Sequence, residues 1–268
     1  MKKLTALLLV FILLLAACGN RKTADGDGGR PDEFSGPPTS FIENIVWQDH
    51  DVYESFYDLP TSKDPLVNFS ASLPLTQNND VIKEYYSKKE SALRQSASAL
   101  LDLAKDDYDR SKDLPESFFA PFEMEVTYSV QRNDSRVFSV ALSTYENTGG
   151  PHPNNTLTGD SFETQTGTLI TADALFTVPL SEALEKIKPA ITAEMDKRSA
   201  EYGFDLYYPN VSDDPFAVWE KTDFYFSEDK LVFVWQTYSL APHAVGIQEF
   251  SIPLSDLSGI LDAKWTLS

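Results

Sequence analysis

A single cysteine, Cys18, closes an apolar run near the start of the 268-residue chain, and no second cysteine follows it. This limits the fold before anything else does. No disulfide can form within the chain, so whatever folds outside the cytoplasm must be held by core burial. Lys2 and Lys3 precede the run, which extends from Leu4 to Ala17 with Thr5 as its one mildly polar interruption. It is shorter than the roughly 20 apolar residues that span a bilayer, and it has the length of a signal-peptide core. It ends in Leu15-Ala16-Ala17-Cys18, with the small residues a signal peptidase requires before its cut. Residues 1–17 are therefore read as a signal peptide. Cys18 is read as the lipid-carrying residue of a bacterial lipoprotein, which holds the chain to a membrane through several acyl chains where one would hold only marginally. Gly19 is not the aspartate that retains lipoproteins at an inner membrane, so a two-membrane cell would carry the protein on its outer membrane, facing the periplasm.

Residues 18–40 combine this cysteine with a glycine-, proline- and polar-rich tether, GNRKTADGDGGRPDEFSGPPTS. Such a segment behaves as a flexible coil and would hold the folded part some 25–30 Å from its anchor. The remainder is long enough for one sizeable domain or two small ones. It is rich in aromatic residues, with 17 Phe, 12 Tyr and 4 Trp in the chain. The formal net charge is −19, and removal of Lys2 and Lys3 makes it more negative still. Nucleic acid is excluded as a partner, because its phosphates demand basic patches. Anionic headgroups and wall polymers are disfavoured for the same reason. Cationic partners are favoured by long-range steering.

Periodicity divides the chain into α+β architecture, with antiparallel hairpins and helices packed on one face. Val67 to Leu73 reads as a strand. From about Asn79 to Tyr108, Ile82, Tyr86, Leu93, Ala97, Leu100, Ala104 and Tyr108 recur at helical spacing, with Asn79 or Asp80 as N-cap. Met124, Val126, Tyr128 and Val130 then alternate with polar residues, and Arg136 to Tyr145 returns after an Asn133-Asp134 turn. Further short strands fall within residues 156–170, around a Thr166-Gly167 turn. Leu180, Leu184, Ile187, Ile191 and Met195 mark a second helix from about Ser181, its N-cap, to Ala200, with a kink or break expected at Pro189. Thr222–Phe226 and Leu231–Tyr238 form a hairpin, and the second strand, apolar on both faces, is central. Gly246 to Pro253 is another strand, followed by a helical turn from Ser255 to Leu261 and a tail containing Trp265. Residues 41–150 are taken as an N-terminal module and 151–268 as a C-terminal one, packed together as one unit.

Several stretches resemble a known family. Tyr145-Glu-Asn-Thr-Gly149-Gly150-Pro151-His152-Pro153-Asn154 resembles the "Y-x-x-T-G-G-A-H" signature of the RsiV-type extracytoplasmic domain family. Phe162-Glu-Thr-Gln-Thr-Gly167-Thr-Leu169-Ile-Thr171 is similar to its "F-D-x-x-T-G-x-x-L-T" turn, and Phe224-Tyr-Phe226 with Trp235-Gln-Thr-Tyr238 to its late strands. Leu240-Ala241-Pro242-His243-Ala-Val-Gly246 with Phe250-Ser-Ile252-Pro253 is similar to "I-A-P-Y-A-x-G … F-x-I-P". The likeness covers roughly residues 69–257. The chain departs at Pro151, where alanine is usual, and at His243, where an aromatic residue is usual. Members include a lysozyme-sensing anti-sigma factor and a peptidoglycan deacetylase that carries a separate catalytic domain. The resemblance therefore implies a recognition or accessory module, a peptidoglycan or lysozyme-like partner, and no cofactor. It places ligand-binding residues at Tyr145, Gly149, Gly150, His152, Asn154, Tyr238, Pro242, His243 and Gly246. With a lipid anchor at Cys18 in place of a membrane-crossing helix, capture of a ligand is expected rather than inward signalling.

Catalytic constellations are sparse. The histidines are His50, His152 and His243. His152 and His243 sit in loops after strands and could hold zinc with a carboxylate such as Asp160, giving a metal-assisted hydrolase as one alternative. Neither lies in a His-x-x-x-His pattern, and loop capping by the imidazoles is the simpler reading. There is no Gly-x-Ser-x-Gly elbow. Asp106-Asp107 and Asp213-Asp214 are sequence neighbours that do not face one another, and Asp205, Asp213 and Asp214 lack EF-hand spacing. Tyr202, Phe204, Tyr207, Tyr208, Phe216 and Trp219 crowd one loop-rich stretch, either to meet a ligand or to seal the sheet's edge. The expected function is a lipid-anchored binding module for a cell-wall glycan or a cationic, lysozyme-like envelope protein. The other alternative is a structural envelope lipoprotein without a small ligand.

Overall fold

A computed structural model describes residues 41–58, 63–111 and 119–266. The expected signal peptide, the lipidated Cys18 and the tether lie outside those residues. β1 (Trp47–Phe56), β2 (Val67–Thr76), β3 (Phe122–Asn133), β4 (Val137–Asn147) and β5 (Asn154–Glu163) form one sheet in that spatial order. α1 (Asp80–Ala99) and α2 (Leu101–Ser111) connect β2 to β3. Because the chain crosses over through these helices, β2 and β3 run parallel while the other pairs run antiparallel. The α+β class holds, but the sheet is mixed rather than wholly antiparallel. Residue 150, the expected division between modules, lies in the connection between paired β4 and β5.

α1 begins where the sequence indicates: the Asn79 side chain accepts hydrogen bonds from the amides of Val81 and Ile82. Its apolar stripe buries Ile82, Tyr86 and Ala97 against the sheet residues Phe69, Leu73, Met124, Val126, Phe138 and Phe162. The single helix expected to Tyr108 is instead two, turning at Leu100, whose amide bonds back to Ala97. In the β3–β4 turn, Asp134 Oδ1 accepts from the amides of Arg136 and Val137 at 2.7 and 2.9 Å.

α3 (Leu180–Tyr202) precedes a second sheet of β6 (Phe224–Ser227), β7 (Lys230–Trp235) and β8 (Gln248–Pro253), ordered β6-β7-β8. β7 is central, as its two apolar faces require. Leu231, Phe233 and Trp235 share a core with Ile187, Ile191 and Met195 of α3, whereas Val232 and Val234 pack with Tyr225 and Ala141 of the first sheet. The layers thus run α1, five-stranded sheet, three-stranded sheet, α3, with each helix outside its own sheet. α3 starts after Pro179 with no side-chain cap, not at Ser181, and it continues through Pro189. Pro189 and Glu185 both lie on the exposed side, where water can take the carbonyl that proline leaves unpaired.

Candidate functional site

The site is assembled from two loops, one after β4 and one after β7. In the first, Gly149 has φ 73° and donates its amide to Asn147 Oδ1 at 3.1 Å, closing a side-chain turn. Tyr145 pairs with Asn155 and Glu146 with Asn154, so the strands fix where the loop leaves the sheet. His152 is exposed at its tip.

The second loop is pinned from below. Leu240 and Ala241 are buried, and Leu240 O accepts the Tyr208 amide at 2.8 Å. His243–Val245 makes a 3-10 turn ending at Gly246, with φ 77° and ψ −164°, a region open essentially to glycine alone. Gln248 donates from Nε2 to Val245 O at 2.9 Å and accepts from the Tyr207 hydroxyl at 3.1 Å. Tyr238 takes the left-handed conformation with φ 70°, which no glycine relieves, and it stands 55% exposed.

These constraints bring the two histidines face to face. The rings of His152 and His243 stack with centroids 4.1 Å apart and planes inclined by 19°. Tyr238 lies against His243 with centroids 5.4 Å apart. Tyr145, Gly149, Gly150, Asn154, Pro242 and Gly246 supply the strand ends and turns around this cluster. Asp160 does not join it. Its buried carboxylate accepts from the Tyr85 hydroxyl at 2.6 Å and pairs with Lys89 at 2.5 Å, facing α1. Among the described residues, no group of three or more His, Cys, Asp or Glu side chains is placed to hold a metal ion. A zinc centre built from the histidines and Asp160 is not formed.

The aromatic segment resolves differently. Tyr207 and Trp219 are buried, and Phe216 meets Trp219, Phe233 and Trp235 at 5.4–5.7 Å in the core of the second sheet. Only Tyr202 and Phe204 remain strongly exposed, at 67% and 62%.

Beneath the histidines lies a joint that sequence reasoning missed. Gln236 spans the two sheets: its Oε1 accepts the Leu157 amide at 3.1 Å, and its Nε2 donates to Leu157 O at 2.8 Å and to Asp223 Oδ2 at 2.6 Å. The side-chain amide thereby acts as one more ladder rung on the outer edge of β5. Burial pushes the Asp223 carboxyl up to about 6, against the opposing hydrogen bonds from Gln236 and Thr222. A carboxyl raised in the folded state holds its proton more tightly there than in the unfolded chain. Its contribution therefore favours folding at low pH and is lost as pH rises from about 4 through about 6. Asp223→Asn is expected to raise stability at pH 7 by about 1–2 kcal/mol, with little change at pH 4. Urea midpoints at the two pH values would check this.

Two family descriptions match the chain. "Deacetylase PdaC" matches residues 60–155, and "Protein of unknown function (DUF3298)" matches residues 173–255. His152 falls within the first segment and His243 within the second. Among solved structures, a DUF3298 family member from Bacteroides fragilis superposes with a TM-score of 0.54 at 14% identity, covering 83% of this chain and 95% of that one. A DUF3298 family protein from Pseudomonas aeruginosa gives 0.52 at 15% identity, covering 85% and 98%. At such identities the likeness is one of fold. No curated protein matches.

Proposed function

We propose that this chain, which joins a PdaC-family segment to a DUF3298-family segment as expected of the RsiV-type extracytoplasmic family, is a lipid-anchored capture module for a cationic envelope protein of lysozyme type. The observation that carries this reading is the stack of exposed His152 on half-buried His243. It makes one surface from two separately matched segments, and Tyr238 stands beside it in a conformation that costs about 1–2 kcal/mol for a residue other than glycine. Strained, exposed aromatic and imidazole groups on a rigid base suit recognition. The formal charge of −19 favours a protein partner over an anionic polymer. The lipobox ending at Cys18 supports presentation at a membrane surface, where a lipid anchor captures without transmitting a shape change.

Retention of lysozyme and of purified peptidoglycan by the processed, lipidated chain at two salt concentrations tests this. Lysozyme is expected to be retained at low salt and released at high salt. His152→Ala with Tyr238→Ala should weaken that retention about tenfold. Retention of peptidoglycan alone would transfer the site to the glycan. Retention of neither at low salt would refute the reading.

A further inference from the structure

The two faces of the five-stranded sheet treat their acids differently. On the α1 side Glu54 and Asp160 are matched, and Glu146, at the end of β4, is the one sheet carboxylate there without a partner among the described residues. Glu54 and Glu90 pair with Arg94, Asp160 with Lys89, and His50 lies 3.0 Å from Glu90. On the other face β6 covers only the end near Ala141 and Gly159. The rest is open and carries Asp51, Glu123 and Glu125. The alternation of the strands points no Lys, Arg or His into it. Asp49, near the start of β1, reaches instead to the α1 side of β3, where it accepts from the Tyr128 hydroxyl at 2.5 Å. Asp51, Glu123 and Glu125 have no ion-pair or hydrogen-bond partner for their side chains among the described residues.

The strand register gives this face a direction. Tyr53 pairs with Ser70, Ser70 with Glu125, Glu125 with Tyr145 and Tyr145 with Asn155. One row therefore crosses all five strands, from an edge tyrosine 79% exposed to the foot of the histidine loop. At about 4.8 Å per strand the row is about 19 Å long. With the rows on either side, the open face offers about 400 Å², half of the roughly 800 Å² that one partner buries in a standard interface. The histidine loops at its border supply adjoining area.

We infer that this open face, from β1 across to the β4–β5 loop, is the docking surface for a basic protein, which sets its lysines and arginines against Asp51, Glu123 and Glu125 and flat surface on Tyr53 and Tyr145. The inference rests on the capture reading above and assigns most of the electrostatic contact to the sheet rather than to the loops. Carboxylates left unmatched beside exposed Tyr53 and half-buried Tyr145 complement a cationic surface, and uniform negative charge excludes an acidic one.

The test uses the processed chain and egg-white lysozyme as the basic probe. Glu123→Gln with Glu125→Gln is compared with Glu182→Gln and Glu185→Gln on α3, which removes the same charge elsewhere. The sheet variant should bind about tenfold more weakly at low salt and show a flatter salt dependence, with the α3 variant within about twofold of the parent. If the parent binds and both variants bind alike, the docking face is refuted while the capture reading stands. If the parent does not bind, the capture reading fails in its lysozyme form, and an oligolysine peptide followed by amide chemical shifts decides the face. Shifts confined to residues 49–55 and 123–127 uphold it. Shifts spread evenly over the molecule, or none, overturn it.

Discussion

Gly159→Ala is expected to destabilise the protein by about 3 kcal/mol or more, at the upper end of what overpacking costs. A β-carbon at this position would lie 1.7 Å from the Phe224 carbonyl oxygen, 2.5 Å from its carbon and 2.8 Å from Tyr225 Cβ. Two of these three obstacles are main chain, which cannot swing aside as a side-chain tip would. The approach is close because β6 lies directly on β4 and β5. The Phe226 amide donates to Ser139 Oγ at 3.0 Å, and Ser139 Oγ lies 2.8 Å from Ser161 Oγ. Moving β6 outward to admit the methyl group would break this contact and open the core of Ala141, Tyr225, Val232 and Val234. Gly203→Ala is the control. Gly203 has φ 78° but nothing within 4 Å of the added carbon, so its cost should stay near 1 kcal/mol. Urea unfolding of both variants checks the pair. A Gly159 variant no worse than the Gly203 variant would mean that the sheets are not in backbone contact.

That joint was beyond what a sequence can disclose. Gly159 sits in Thr158-Gly159-Asp160, where a glycine in a strand signals close approach but not to what. Gln236 likewise reads as an ordinary polar residue after a strand. Elements with their own internal period were legible: the stripe of α1, the alternation of β3 and the doubly apolar β7. β1 was not. Its sequence, WQDHDVYESF, buries only Val52. One of its faces pairs polar residues with α1, through His50 to Glu90 and Glu54 to Arg94, and the other is open, so no two-residue hydrophobic alternation develops. The break at Leu100 was hidden because the apolar stripe continues in phase on both sides of it. The helix runs on through Pro189 without the break that proline can impose, since the hydrogen bond it removes lies on the side facing water. At the site, the family likeness marked both histidine loops, yet only the fold stacks His152 on His243. It also sends Asp160 to the opposite face.

Asp160→Ala should cost about 3 kcal/mol, because it leaves buried groups unmatched. The carboxylate is 4% exposed and receives the Tyr85 hydroxyl and the Lys89 ammonium. Burial first, and then the charge of Asp160, hold the Tyr85 phenol far above its ordinary range, so it remains a donor. The Tyr85 and Tyr86 rings pack edge-on to one another at 5.3 Å, and Tyr85 meets Phe162 of β5 at 5.0 Å. This ring cluster is what fastens α1 to the sheet. Without the carboxylate, the Tyr85 hydroxyl loses its acceptor and Lys89 must swing toward water. Asp160→Asn should cost less, about 1–2 kcal/mol, since its amide oxygen still accepts from Tyr85. Lys89→Met combined with Asp160→Ala should cost less than the two single changes added, because removing both partners leaves no charge unmatched. Urea unfolding of the four proteins gives this coupling, and strict additivity would show that the pair does not act as a unit. Asp160 faces α1, behind the open sheet face and away from the histidine stack. The Asp160→Ala protein should therefore bind lysozyme with unchanged affinity wherever it remains folded. A loss of binding in the folded variant would mean that α1, through the sheet, sets the geometry of the docking face.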